Sequence, residues 1–158
     1  MARTGVGEGK RRCGRFFIGP FSERGTYMKV VINLSLTKRE VPDLREKVGW
    51  DRRDEEYPAL LERCNFWAGA RHRGTLIAFG YICGMGLQHG YMEDILVHPD
   101  YREEGVGRQL VNTLIQEAER FGLEIVTVTF AEEHAGFYEA CGFTKSGGGV
   151  WRKREQEG

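Results

Sequence analysis

The sequence lacks any stretch long and apolar enough to cross a bilayer. Its longest nearly apolar run, "LIAFGYICGMGL" at 76–87, has 12 residues and several glycines, where a spanning helix needs about 20, so a buried strand is expected there. Cysteine is scarce: the four at 13, 64, 83 and 141 include no C-x-x-C pair and no arrangement with His at metal-ligand spacing. Neither a disulfide scaffold nor a metal site is therefore expected, and a reduced, cytoplasmic chain is. Proline is limited to four positions in 158, with 41% hydrophobic and 29% charged residues, which excludes a disordered or fibrous chain. Net charge is missing too, because 23 bases meet 23 acids. Nothing demands a polyanion, and no nucleic acid or membrane is expected as partner.

The zero is unevenly made. Residues 1–27 hold six Lys or Arg against two acids, and residues 28–158 hold 17 against 21. Segment 1–27 is rich in Gly and Arg without a sustained period and reads as a flexible basic extension ahead of one domain at 28–158. Its "GVGEGKR" is not a P-loop, since the spacing is short and Arg11 follows Lys10 where Ser or Thr is required. The mild acidity of the domain favours a cationic substrate.

Val and Ile between Tyr27 and Leu36 predict a first strand. Thr37 and Glu40 form a capping box for a helix through about Val48, ended by Gly49. A second short helix, "DEEYPALLERC", begins near Asp54 with Pro58 in its first turn. "NFWAGAR" and "TLIAFGYICG" make a hairpin around His72, Arg73 and Gly74. "GYMEDILVH" is the next strand. The helix "GRQLVNTLIQEAERFG" has Leu110, Leu114 and Ala118 on one stripe and Gly122 as C-cap. "EIVTVTF" is a strand, "EEHAGFYEAC" a short helix and "GFTKSGGGVWRK" a closing hairpin. The expected order is β, α, α, β, β, β, α, β, α, β, β.

Chemistry concentrates at "ILVHPDYREEGVGRQL", residues 95–110. A strand that ends at Val97 and runs through Arg102-Glu103-Glu104-Gly105-Val106-Gly107 into a helix aims free backbone N–H groups at one point, where the helix dipole adds partial positive charge. That is an anion site made of main chain, to which Gly105 and Gly107 admit a phosphate closely. The alternatives are a glycine turn with no ligand and a dinucleotide fold. The latter requires G-x-G-x-x-G, and the third position here is Leu110.

The segment "ILVHPDYREEGVGRQLVNTLIQEA" resembles the acetyl-CoA-binding signature of the GNAT superfamily of N-acetyltransferases through Val97, Pro99, Tyr101, Arg102, Gly105, Val106, Gly107 and Leu110. "FYEACGF" is similar to the second signature of that family through Phe137, Tyr138, Glu139, Gly142 and Phe143. The resemblance spans about residues 28–154. It implies an α/β GNAT fold, a mixed central sheet of six or seven strands flanked by helices, splayed after the strand that ends at Val97.

It further implies acetyl-CoA as co-substrate. The backbone of Ile95, Leu96 and Val97 would pair with the pantetheine arm, and amides from Arg102 through Glu103, Glu104, Gly105, Val106 and Gly107 to Arg108 would hold the pyrophosphate. An N–H near Leu96 or Val97 would face the thioester oxygen, and Tyr138 would stand near the sulfur. The family's cofactor-contacting Asn falls at Ala131, and its usual Ala at His134, which becomes either a lining residue or a lone surface histidine.

An amine attacks a thioester only when neutral, and a lysine-like amine with pKa about 10.4 is almost wholly protonated at neutral pH. A base, or a water held by one, must take the proton. Tyr138, as a phenol, can supply the proton to the departing thiolate, or else it is simply a packed aromatic. "YMEDILV" resembles segments of polyamine acetyltransferases whose Glu is associated with proton transfer, so Glu93 is the expected base, directly or through water, and Asp94 the amine binder. On regular alternation Glu93 shares a face with Ile95 and Val97, and Asp94 with Met92 and Leu96, so only one can reach the thioester unless a bulge redirects them. The pair could equally be a solvated sheet edge.

Trp50, among Asp51, Asp54, Glu55 and Glu56, offers an aromatic and acidic rim to a cationic amine, or packs down. Cys141 is either core or the thiol of a ping-pong route. The expected activity is direct acetyl transfer to a small primary amine, with protein or peptide acetylation and a non-catalytic CoA-binding module as alternatives. A homodimer stays open.

Overall fold

The computed structural model describes residues 28–153, so the basic extension expected at 1–27 lies outside the described residues. Five strands form one sheet in chain order: β1 (Val31–Ile32), β2 (Phe66–His72), β3 (Thr75–Cys83), β4 (His89–Val97) and β5 (Ile125–Val128). The first four are antiparallel to their neighbours and β5 is parallel to β4. A parallel return needs a long crossover, which helix α3 (Val106–Phe121) supplies. Helices α1 (Glu40–Lys47) and α2 (Tyr57–Arg63) precede β2, and a short α4 (Ala135–Ala140) follows β5.

The apolar stripe of α3 packs Leu110, Val111, Leu114 and Ala118 onto Phe66, Ile82 and Met92. On the other face Val41, Leu44 and Tyr57 of α1 and α2 cover Leu76, Phe79, Tyr81 and Leu96. Each fully buried aliphatic or aromatic side chain of these two layers contributes about 1.5–3 kcal/mol. No helix among the described residues is long and apolar enough to cross a membrane.

The sheet has five strands among the described residues, fewer than the six or seven expected. The difference lies at the end of the chain, where residues 143–153 form no strand and the predicted closing hairpin is absent. Gly147, Gly148 and Gly149 give a strand there no side chains to pack and a high ordering cost. The first strand shrinks to two residues because Asn33 turns to φ 50° and leaves the ladder. The first helix begins at Glu40 with Arg39, not the expected Thr37, in the N-cap place, and keeps half of the expected capping box: the Thr37 N–H donates to Glu40 Oε2 at 2.7 Å. The second begins at Tyr57 with Pro58 in its first turn. The β2–β3 hairpin closes on Arg73 and Gly74, at φ 49° and 80°, the primed two-residue turn whose twist suits the flanking strands.

Titration should expose how the core is made. Burial pushes the hydroxyls of Tyr57, Tyr81 and Tyr138 and the thiols of Cys64, Cys83 and Cys141 above their ordinary values, Cys64 to about 11 and Tyr138 to about 12. As pH rises past about 8.5 to 10 the unfolded chain releases protons that the folded chain keeps, so stability is full below that range and lost above it. The thermal midpoint should fall steadily from about pH 9 upward, as followed by circular dichroism. A flat profile to about pH 11 would contradict this account of the core.

Candidate active site

Strand β4 pairs with β5 only from His89 to Met92. Beyond that point the strands part, as the resemblance implied, although the parting begins within β4 rather than at its end. A cleft fills the gap and has two compartments. One, of about 800 Å³, is bordered by Ile95, Leu96 and Val97 of β4, by Arg102, Glu103, Gly105, Gly107 and Arg108 of the following loop, and by Phe137 of α4. The other, of about 480 Å³, is bordered by Tyr91, Glu93 and Asp94 on one side and by Thr129, Phe130 and Ala131 on the other. Trp50, Ile95, His134 and Tyr138 border both, so the two compartments meet at these side chains.

The loop end is built as its sequence suggests. A 3₁₀ turn at Pro99–Tyr101 leads to Glu103 at φ 64° and Gly105 at φ 82°, and α3 starts at Val106. Two left-handed residues, with Glu104 between them, turn the chain as it enters α3, and Gly105, Gly107 and Arg108 border the larger compartment. A Cβ on Gly105 would meet nothing within 4 Å, so the space beside Gly105 is open to a ligand, and the donor set of helix N-terminus, Arg102 and Arg108 suits a phosphate. Glu103 and Glu104 are exposed. Arg108 donates from Nη2 to the Ala140 carbonyl at 2.9 Å, which ties the loop to the end of α4.

The carboxylates do not follow regular alternation. Across β3 and β4, Phe79 is opposite Leu96 while Tyr81 is opposite Glu93, so β4 carries one residue too many. The extra residue is Asp94, at φ 50°, a left-handed conformation that costs about 1 kcal/mol even for Asp. The bulge turns both acids to the α1–α2 face: Tyr81 donates its hydroxyl to Glu93, while Tyr57 and Arg45 donate to Asp94. Met92 and Ile95, on either side, pack into the α3 layer. The expectation that Glu93 shares a face with Ile95 and Val97 is thereby corrected. Gly80 of β3 admits the arrangement, since a Cβ there would lie 2.6 Å from Ile95 Cδ1.

The two acids differ in what holds them. The Asp94 carboxylate accepts two contacts from Arg45 Nη1 at 2.8 Å, and the pair is largely buried, with 7% of the Arg45 side chain and 15% of the Asp94 side chain exposed. Breaking such a pair from one side costs about 3–5 kcal/mol, because it strands a buried charge. Glu93 has no cation on it among the described ion pairs and is exposed.

Tyr138 is 7% exposed and is fixed by aromatics: Phe130 stacks on it at 4.7 Å, and Phe137 and Phe143 meet it edge-on at 5.0 and 5.7 Å. Burial pushes its hydroxyl up to about 12, which keeps it protonated far beyond neutral pH. Trp50 is 49% exposed and borders the cleft, with the Arg45 guanidinium 5.2 Å from its ring centre. His134 is exposed and also borders the cleft. Cys141 packs against the α3 layer, and burial raises its thiol, which opposes thiolate formation.

Three residues here were not among the sequence candidates. Tyr81 and Tyr57 hold the acids, and Arg45 is a buried charge in α1. The sequence carried one signal for it: Val41, Leu44, Arg45 and Val48 follow the i, i+3, i+4, i+7 spacing of a buried stripe, so an arginine stands where an apolar residue belongs.

Residues 34–143 match the acetyltransferase (GNAT) family. Among curated proteins, the chain is 34% identical over 67 residues to the glucosamine 6-phosphate N-acetyltransferase of Schizosaccharomyces pombe, an alignment that covers 42% of this chain and spans only 60% of that enzyme's length. It is 30% identical over 123 residues to the uncharacterized N-acetyltransferase ycf52 of Pyropia yezoensis, covering 75% of this chain and 71% of the relative. In fold it is similar to the crystal structure of glucosamine-6-phosphate N-acetyltransferase from Arabidopsis thaliana, with TM-score 0.66, 19% identity, and coverage of 82% of this chain and all of that one. With the family's two signatures bordering a cleft where β4 and β5 part, the chain belongs to the GNAT family of acetyltransferases.

Proposed function

We propose that the chain transfers the acetyl group of acetyl-CoA to the primary amine of a small cationic acceptor, by direct attack. The observation that carries this reading is the continuity of the cleft from the Gly105 turn to the Glu93 carboxylate, with Tyr138 at the junction.

Acetyl-CoA supplies the acyl thioester. The amides from Arg102 to Arg108, with the two guanidinium groups, hold its phosphates. The unpaired edge of β4 at Ile95, Leu96 and Val97 takes the pantetheine as an added strand, and one amide near Leu96 or Val97 faces the developing oxyanion. Glu93 accepts the ammonium proton of the acceptor, directly or through a water, and Tyr138 protonates the departing thiolate. Trp50 lends its ring to the cation. Asp94, whose charge is matched by Arg45, is assigned to shape β4 rather than to grip the amine. Cys141 takes no part, so no acyl-enzyme forms.

On the walls of the acceptor compartment Glu93 is a carboxylate without a cation, Asp94 is already paired with Arg45, and no Lys or Arg stands there among the described residues. A phosphorylated amine such as glucosamine 6-phosphate, for which two relatives are named, meets like charge there, whereas a diamine meets opposite charge. In a thiol-release assay a diamine should exceed glucosamine 6-phosphate in kcat/KM by at least about tenfold. The reverse order would overturn the cationic assignment. Turnover confined to peptides would favour protein acetylation, and tight acetyl-CoA binding with no turnover across amines and peptides would favour a non-catalytic module.

A further inference from the structure

Arg45 is buried, 6% exposed, and its guanidinium is the meeting point of four segments. It bonds both Asp94 oxygens at 2.8 Å in the β4 bulge, approaches the Tyr57 hydroxyl at 3.3 Å at the start of α2, and donates from Nε to the Asp51 carbonyl at 2.6 Å. The Trp50 ring centre is 5.2 Å away. The bulge shapes the edge of β4 that faces the cleft, and Trp50 walls both compartments. One side chain therefore touches two features of the cleft wall, the bulge and the Trp50 turn.

Resting on the acetyl-transfer reading above, we infer that Arg45 is a positioning residue for that reaction. It holds Asp94 in the left-handed conformation that makes the bulge, and it holds the Trp50–Asp51 turn over the acceptor compartment, so the amides after the bulge and the acceptor wall are set by the same group. The guanidinium is suited to this because its planar fork serves a carboxylate, a carbonyl and an aromatic face at once, which a lysine ammonium does not. Asp94 without Arg45 would be a buried carboxylate held by Tyr57 alone, and the left-handed turn would lose its anchor.

The test compares Arg45→Met, Arg45→Lys, Asp94→Asn and the double variant Arg45→Met/Asp94→Asn. Expected is a fall of about 10²-fold in kcat for Arg45→Met with the KM for acetyl-CoA changed by less than about threefold. Arg45→Lys should recover less than about a tenth of the lost rate, and the double variant should be no worse than the poorer single, as for residues that act as a unit. Wild-type kcat in Arg45→Met, full rescue by lysine, or additive losses would each overturn the inference.

Amide spectra read the same point without turnover. In ¹⁵N-labelled protein titrated with acetyl-CoA, the wild-type amides of Ile95, Leu96, Gly105 and Gly107 should all shift. In Arg45→Met the Ile95 and Leu96 shifts should shrink while those of Gly105 and Gly107 persist. Identical shifts in both proteins would overturn the role of Arg45. Wild-type protein that shows all four shifts but acetylates no amine would sink the acetyl-transfer reading instead, and the comparison of shifts would still decide whether Arg45 sets the bulge.

Discussion

Tyr138→Phe is expected to lower kcat by about 10²–10⁴-fold, the range associated with a lost general acid, while acetyl-CoA affinity stays within about twofold. The aromatic cage explains why the two effects separate. Phe130, Phe137 and Phe143 hold the ring by stacking and edge contacts, and phenylalanine keeps all of them, so only the proton is removed. The hydroxyl stays protonated and so remains present as a donor throughout the working range. With its pKa pushed up to about 12 by burial, it does not ionise across the range in which a neutral amine becomes abundant, so kcat in the wild type should show no decline from tyrosine ionisation below about pH 10. Steady-state kinetics with calorimetric titration of acetyl-CoA would check both parts. Wild-type turnover in the phenylalanine variant would remove Tyr138 from the chemistry.

Gly105→Val should weaken acetyl-CoA binding by about 10- to 100-fold. The backbone at φ 82° is strained for a β-branched residue by about 1–3 kcal/mol; the free loop relaxes, restoring it on binding costs most of that strain, about 1.4–2.8 kcal/mol for the stated range, and the added methyl groups occupy the open space beside Gly105. Glu103→Gln and Glu104→Gln should bind equally or more tightly, because their side chains are exposed and only their backbone lies in the turn. Gly107 acts differently: a Cβ there would lie 3.2 Å from Val97 Cγ2, so substitution disturbs the seat of α3 against β4 first. Titration calorimetry separates the cases, and a tenfold loss in either glutamine variant would mean that carboxylates, not amides, make the site.

Much of this was legible in the sequence because it is local. The stripe of α3, the Gly122 cap, the β2–β3 turn and the Gly105 loop depend on residues within a few positions of one another, and each stands near its predicted place. Glu93 and Tyr138 are named by strand and signature for the same reason, and both side chains border the cleft, while their roles in catalysis are the proposal above. What depended on distant partners was hidden. The bulge at Asp94 rests on Arg45, 49 positions earlier in the chain, and no alternation of apolar residues announces it. The short first strand follows from the turn at Asn33, whose side chain accepts from the Trp67 amide at 3.3 Å. A glycine-rich stretch suggests the turn of a closing hairpin, but the same glycines give a strand no side chains to pack, and residues 143–153 form none.

Asp94 can also be regarded as an insertion. Without it, Ile95 would follow Glu93 directly, Gly80 would face Ile95, and the ladder from Phe79 and Leu96 to Tyr81 and Glu93 would run without a break. Loss of a single codon would thus give a chain whose sheet is more regular than the present one and whose Glu93 keeps its wall, yet whose buried arginine has lost its counter-ion. The irregular strand is separated from an ordinary one by one amino acid.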